Sequence, residues 1–182
     1  MKHIPNLLTL LRFLLAMFLV IILYHANTIK YFIALSIFTA AMITDYFDGM
    51  IARKYKTVTE FGKTMDPLAD KIIVACGLIY FSLKGFLFYM ITILILVREF
   101  GITIYRFFLL KRGKIVPAER LGKLKAGFQM AGICVSFLLL IINEIINSND
   151  VLFYIKLAMN IFFGFTLFLT YLSLYPYIIK KN

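Results

Sequence analysis

Four aspartates at helical spacing are the residues of this sequence best suited to chemistry: Asp45, Asp48, Asp66 and Asp70. On an α-helix, residues three apart lie about 60° apart around the axis, and residues four apart lie about 40° apart. Asp45 and Asp48 would therefore project from one face of a helix, and Asp66 and Asp70 from one face of another. Two helices carrying such pairs could bring four carboxylates together.

Neighbouring carboxylates repel one another and take up protons unless cations neutralise them. Carboxylate oxygens are hard ligands, and Mg²⁺ or Mn²⁺ suits such a donor set. Four carboxylates also suit two ions better than one. The sequence therefore predicts a site for two Mg²⁺ or Mn²⁺ ions at this cluster.

A plainer interpretation is that the aspartates cap helices and pair with nearby cations. The cations within reach along the sequence are Arg53, Lys54, Lys63 and Lys71. Two glycines argue against it, because Gly49 directly follows Asp48 and Gly62 lies one turn before Asp66. Glycine inside a helix costs about 1 kcal/mol relative to alanine, so its presence indicates close approach of a ligand.

The composition indicates an integral membrane protein. Of 182 residues, 62% are hydrophobic and 16% are charged, and the mean hydropathy is +0.90, well above the values of soluble domains. The net charge of +11 does not point to nucleic acid, because the cations lie in short loops between apolar segments. Membrane lipids, and no nucleic acid, are the expected partners.

Apolar segments occupy residues 13–24, 31–44, 72–83, 86–108, 128–142 and 151–179. Several are shorter than the roughly 20 residues that a membrane span needs. Extended through neighbouring polar positions, they predict an all-α integral membrane fold of six transmembrane helices in one domain, residues 1–182. Residues 1–12, around Pro5, predict a short N-terminal helix lying in the membrane interface.

The basic residues predict the orientation. They concentrate at both termini and in the second and fourth loops, whereas the other loops hold only Lys30, Lys84 and Lys156. Short loops rich in Lys and Arg stay in the cytoplasm. Both termini and the aspartates are therefore predicted to be cytoplasmic.

The aspartates belong to a longer pattern, Asp45-x2-Asp48-Gly49-x2-Ala52-Arg53-x8-Gly62-x3-Asp66-x3-Asp70. This pattern resembles the full signature of the CDP-alcohol phosphatidyltransferase family, with eight specified residues at set spacing. The segment PNLLTLLR, residues 5–12, is similar to the N-terminal segment of that family. The resemblance implies a membrane enzyme that joins a CDP-activated lipid to a small alcohol and releases CMP.

By the same resemblance, Asp45, Asp48 and Asp66 are metal ligands, and Asp70, also near the metals, is the general base. The residues implied to line the nucleotide pocket are Gly49, Ala52, Arg53 and Gly62. The resemblance further implies a homodimer in the plasma membrane of a bacterium.

A second group of cations predicts an acceptor that carries phosphate. Arg98 and Arg106 are two turns apart, and Lys123 and Lys125 follow in the next basic stretch. Guanidinium forks and ammonium groups are the usual ligands of a phosphate monoester. The pattern is similar to the family branch whose acceptor is sn-glycerol 3-phosphate and whose lipid donor is CDP-diacylglycerol.

Other interpretations of these residues remain open. Arg98 and Glu99 could form a structural ion pair at a helix end, and the two lysines could serve topology and contact anionic lipid. Within the family, the acceptor could instead be inositol phosphate, serine or phosphatidylglycerol. A small cation transporter is a non-enzyme alternative, although the acids crowd at one interface and not at the bilayer midplane.

Overall fold

The protein is all-helical in a computed structural model. The structure describes residues 4–24, 27–55, 60–112 and 120–173. It describes the side chains of residues 10–24, 27–44, 68, 71–109, 112, 122 and 124–173. Its six helices are α1 (Ile4–Tyr24), α2 (Thr28–Tyr55), α3 (Glu60–Leu83), α4 (Tyr89–Lys111), α5 (Arg120–Ile146) and α6 (Asn149–Leu172). The predicted all-α class with six helices is confirmed. The expected extension of the apolar segments is also seen, because α2 and α3 continue through the polar aspartate motif.

The predicted N-terminal helix is not a separate element. Helix α1 runs without a break from Ile4 to Tyr24, through the expected junction near Arg12. Pro5 does not interrupt it, because proline is tolerated in the first turn, where its missing N–H has no intrahelical acceptor.

The helices form a ring in which each packs on two neighbours, in the order α1, α2, α5, α6, α4, α3 and back to α1. Helices α3 and α5 also touch across the ring. Their contact is close because Gly77 lies against Ile133: a Cβ on Gly77 would stand 3.2 Å from Ile133 Cγ2. Phe81 and Phe137 continue the contact, with ring centroids 5.0 Å apart.

The turn between α3 and α4 is fixed by hydrogen bonds. Gly85 has φ of 71°, and the N–H of Phe86 donates to the carbonyl of Phe81 at 2.8 Å while Gly85 donates to Ser82 at 2.9 Å. This is the Schellman arrangement, in which glycine adopts the left-handed conformation without a Cβ clash. Asn160 of α6 also binds the turn, accepting from the N–H of Phe88 at 2.9 Å and donating to the carbonyl of Phe86 at 3.1 Å.

Much of the described surface is apolar, with large side chains such as Ile21, Phe88 and Phe165 half exposed or more. Apolar surface on this scale is covered by lipid or by other protein. Two helical stretches in the described residues, Leu124–Ile146 and Asn149–Leu172, are long and apolar enough to cross a membrane. Three shorter apolar stretches are Leu10–Tyr24, Thr28–Thr44 and Lys71–Leu83. These features indicate a membrane protein.

Candidate active site

The two aspartate pairs lie on consecutive helices. Asp45 and Asp48 are in the C-terminal part of α2, and Asp66 and Asp70 are in the N-terminal part of α3. The helical setting that their spacing requires is therefore present. Their side chains, and those of Gly49, Ala52, Arg53 and Gly62, lie outside the described residues, so the convergence of the four carboxylates remains a prediction.

Chain geometry allows the two pairs to lie at similar heights. Five Cα–Cα steps separate Tyr55 from Glu60, which limits the distance between these helix ends to about 19 Å. At 1.5 Å per residue, Asp48 lies about 10 Å along α2 from Tyr55, and Asp66 lies about 9 Å along α3 from Glu60. Among the side chains that the structure describes, no three of His, Cys, Asp or Glu form a group that could hold a metal ion.

A buried carboxylate, that of Glu99 on α4, binds cations from three helices. Its Oε2 lies 3.1 Å from Nζ of Lys71 on α3, and its Oε1 lies 3.3 Å from Nη1 of Arg98, its neighbour on α4. Lys125 on α5 also donates to Oε1 of Glu99. The side chains of Arg98, Glu99 and Lys125 are at most 10% exposed. These four residues, Lys71, Arg98, Glu99 and Lys125, are called the Glu99 cluster below.

Lys71 anchors α3 to α4 immediately after Asp70. Its ammonium donates to the carbonyl oxygen of Glu99 at 2.7 Å and to Oγ1 of Thr103, in addition to its contact with the Glu99 carboxylate. An ammonium group has three N–H donors, so these contacts use all of them. All the described contacts of Lys71 are therefore with α4.

Lys125 differs from Lys71 because most of its donors are not used by the described residues. Within that part of the chain its only acceptor is Glu99, although the whole residue is 5% exposed. Arg98 contacts both Glu99 and Oγ of Ser173, at the end of α6. The Glu99 cluster thus connects four helices. Its Lys125 ammonium group is buried and has N–H donors that Glu99 does not use.

The charges in the Glu99 cluster do not balance. Three cations contact one carboxylate, so Glu99 alone does not neutralise Lys71 and Lys125. Buried charges are stable when they are paired. A buried excess of positive charge therefore suits an anionic ligand.

The structure brings some of the predicted acceptor residues together. Arg98 and Lys125 meet through Glu99, so the alternative of an ion pair between Arg98 and Glu99 is present, but as part of a larger cluster. Arg106 lies two turns further along α4, partly buried and within electrostatic range of Lys71. The side chain of Lys123 lies outside the described residues.

Sequence reasoning missed two participants, Lys71 as an anchor and Glu99 as the common acceptor of three cations. A signal was present at both positions. Lys71 stands at the polar end of an apolar stretch, and Glu99 is the only acid in the 23 residues of α4. A lone carboxylate in an apolar helix needs cationic partners, although the sequence does not say which.

The contact between α3 and α5 sets the position of Lys125 relative to Asp70. Gly77 meets Ile133, and four residues later Phe81 meets Phe137. The two helices therefore run parallel with a constant offset in residue number. The same offset puts Ile73 opposite Gln129 one turn earlier, and Ala69 opposite Lys125 two turns earlier. Lys125 is thus at the level of Asp70 on α3.

Comparison with known proteins agrees with the motif. A family model described as CDP-alcohol phosphatidyltransferase matches residues 2–171. A protein of Rickettsia typhi named CDP-diacylglycerol–glycerol-3-phosphate 3-phosphatidyltransferase is 40% identical over 138 residues, which are 76% of this chain and 78% of that protein. A protein of the same name from Rickettsia bellii is 33% identical over 176 residues, covering 97% of this chain and 93% of its own.

A protein of Mycobacterium tuberculosis named probable phosphatidylglycerophosphate synthase is also similar, at 40% identity over 134 residues. The match covers 72% of this chain and 64% of that protein. The family match extends well beyond the aspartate motif, over nearly the whole sequence. The chain is therefore a member of the CDP-alcohol phosphatidyltransferase family of enzymes.

Proposed function

We propose that this enzyme transfers the phosphatidyl group of CDP-diacylglycerol to sn-glycerol 3-phosphate, giving phosphatidylglycerophosphate and CMP. The observation that carries the proposal is the Glu99 cluster, whose excess positive charge lies at the level of Asp70. An acceptor with its own phosphate supplies the missing negative charge. The similar proteins of Rickettsia, whose names specify glycerol 3-phosphate, support the same acceptor.

The reaction is a displacement at phosphorus. A primary hydroxyl of glycerol 3-phosphate attacks the β-phosphorus of CDP-diacylglycerol, its proton passes to Asp70, and the bond from that phosphorus to the CMP oxygen breaks. Asp70 suits this role because it is one residue from Lys71, which fixes α3 against α4. The general base is thereby held on an anchored helix next to the acceptor's cations.

The acidic motif fits divalent cations by its donor chemistry. Asp45, Asp48 and Asp66, with Asp70 nearby, would hold two Mg²⁺ or Mn²⁺ ions, which neutralise charge on the diphosphate when bound. Gly49, Ala52, Arg53 and Gly62 would line the cytidine pocket, where glycines let the nucleotide approach the backbone.

The acceptor phosphate would bind to cations of the Glu99 cluster and to cations next to it. Lys125 has N–H donors that Glu99 does not use, and Arg106 is close enough to Lys71 to add to the same positive field. Arg98 and Lys123 complete the proposed set. Serine and ethanolamine carry no phosphate and would leave this charge without a partner.

The membrane arrangement is part of the proposal. All six helices would cross the membrane of a bacterial cell as one domain, with the first residues of α1 lying in the interface and both termini in the cytoplasm. Each helix has at least 21 residues, and 21 residues of α-helix extend about 32 Å, enough for the hydrocarbon core. A homodimer is the proposed assembly.

An acceptor panel tests this function. Purified protein receives CDP-diacylglycerol and Mg²⁺ with glycerol 3-phosphate, inositol phosphate, serine or phosphatidylglycerol in separate reactions, and release of CMP is followed. We expect rapid release only with glycerol 3-phosphate. Faster release with another acceptor would reassign the substrate within the family, and no release with any of them would refute the proposed reaction.

A further inference from the structure

Gln129 on α5 is a buried side chain with an unused hydrogen-bond donor. The residue is 4% exposed, and its carboxamide nitrogen has no hydrogen-bond partner within the described part of the chain. A buried amide without a partner is unfavourable, because it has lost its hydrogen bonds to water. Such a group is expected where a ligand supplies the missing partner.

The helix geometry places Gln129 beside the proposed acceptor site. It follows Lys125 by four residues, so the two side chains lie on one face of α5, one turn apart. The same face continues to Ile133, which contacts Gly77 of α3. Gln129 therefore faces α3 at the level of Ile73, one turn deeper than Lys125 and Asp70.

The side chains of Lys125 and Gln129 suit two different parts of the acceptor. The cations of the Glu99 cluster attract the charged phosphate, and the carboxamide of Gln129, which has both donors and an acceptor, can pair with an uncharged hydroxyl. Glycerol 3-phosphate has two hydroxyls, the primary one that attacks phosphorus and the secondary one on the middle carbon. The primary hydroxyl must face Asp70, which leaves the secondary hydroxyl for Gln129.

We propose that Gln129 binds the secondary hydroxyl of the acceptor and thereby distinguishes glycerol 3-phosphate from phosphate esters that lack this group. The inference rests on the proposed function and adds a specificity-determining residue to it. A site built to hydrogen-bond a substrate hydroxyl discriminates against analogues without it, because its own polar group is then left unpaired.

The test compares two acceptors in the same enzyme: glycerol 3-phosphate and 3-hydroxypropyl phosphate, which keeps the primary hydroxyl and the phosphate but lacks the secondary hydroxyl. We expect the wild-type protein to prefer glycerol 3-phosphate by roughly 10- to 100-fold in kcat/KM, the usual effect of one buried hydrogen bond. In Gln129→Met, which keeps the length of the side chain, the preference should fall to within about threefold of unity because only glycerol 3-phosphate loses a contact.

The ratio of kcat/KM values is independent of the fraction of folded enzyme, so partial destabilisation does not disturb the result. Gln129→Leu is a second apolar variant that decides the question if Gln129→Met does not fold. Ser136→Ala is the matched control, because it removes another buried polar group from α5, one that is bonded to the carbonyl of Gly132, and should keep the wild-type ratio.

Two results would overturn the inference. If a folded Gln129 variant keeps the wild-type ratio of kcat/KM for the two acceptors, the carboxamide does not bind the secondary hydroxyl. The same conclusion follows if the wild-type enzyme uses both acceptors equally. Both results leave the proposed function intact. If wild-type protein releases no CMP with glycerol 3-phosphate, the proposed function itself fails, and the inference fails with it.

Discussion

Replacing Glu99 with glutamine tests whether this carboxylate holds the cations of the Glu99 cluster together. The variant keeps the size of the side chain and removes its charge. At an effective dielectric constant of about 20, unit charges 3.1 Å apart, as for Lys71 and Glu99, attract by about 5 kcal/mol before desolvation is subtracted. Three cations lose this attraction together, and their mutual repulsion remains.

Removing one partner from a buried ion pair costs about 3–5 kcal/mol, because the remaining charge is left without compensation. We expect Glu99→Gln to lower the free energy of unfolding by this amount, which corresponds to a fall in Tm of about 6–20 °C for a protein of this size. Reaction of Cys76 and Cys134 with a thiol-sensitive dye during heating is a suitable assay in detergent. Both thiols are free and only partly exposed in the folded protein.

Lys71→Met is the matched comparison, because it removes one of three cations and leaves the anion paired. Thr103 still donates to the carbonyl of Glu99 at 2.8 Å, so that carbonyl keeps a partner. We expect a loss of about 1–2 kcal/mol, typical of one charged hydrogen bond offset by relief of repulsion. A loss for Lys71→Met equal to or greater than that for Glu99→Gln would refute the reasoning that Glu99 is the common counter-ion.

Four further outcomes are expected. Chelation with EDTA should abolish CMP release, and Mn²⁺ or Mg²⁺ should restore it; full activity in excess chelator would contradict the proposed metal site. Asp70→Asn should lower kcat about 100-fold or more while CDP-diacylglycerol still binds, because a general base contributes at least that factor; a near-normal kcat would remove Asp70 from this role. Arg106→Ala should raise the KM for glycerol 3-phosphate about 10-fold or more and leave that for CDP-diacylglycerol nearly unchanged, so equal changes in both would argue for a structural role. Gly132→Ala should destabilise the protein by about 1–3 kcal/mol by overpacking, since the new Cβ would lie 2.9 Å from Cδ1 of Phe162; Gly127→Ala on the same helix, with no atom within 4 Å, is the control and should not destabilise it.

The local parts of the fold could be predicted from the sequence. Apolar segments and the spacing of the aspartates were sufficient to predict six helices, including the continuation of α2 and α3 through polar residues. A short N-terminal helix separate from the first span was not found, because α1 runs unbroken from Ile4 to Tyr24 and Pro5 lies in its first turn, where proline is compatible with a helix.

The Glu99 cluster could not be predicted in the same way. Lys71 and Lys125 lie 28 and 26 residues from Glu99, and helical periodicity specifies the face of each helix but not the neighbouring helix. The pairing depends on how α3 and α5 pack beside α4, and the contact between α3 and α5 itself depends on a glycine small enough to admit Ile133. The role of Gln129 was missed for the same reason, because its burial follows from the packing and not from its residue type.

The hydrogen bonds of Asn160 have a mechanical consequence. The connections from α1 to α2, α3 to α4 and α5 to α6 lie at one end of the bundle and contain three, five and two residues. Asn160, at the middle of α6, joins this helix to the turn between α3 and α4 and so restrains its tilt. Twelve residues separate Asn160 from Leu172 at the end of α6, a rise of about 18 Å, so a tilt of about 10° about Asn160 displaces that end by about 3 Å. That displacement is as long as a hydrogen bond, so a loosening at Asn160 is magnified at the Leu172 end of α6.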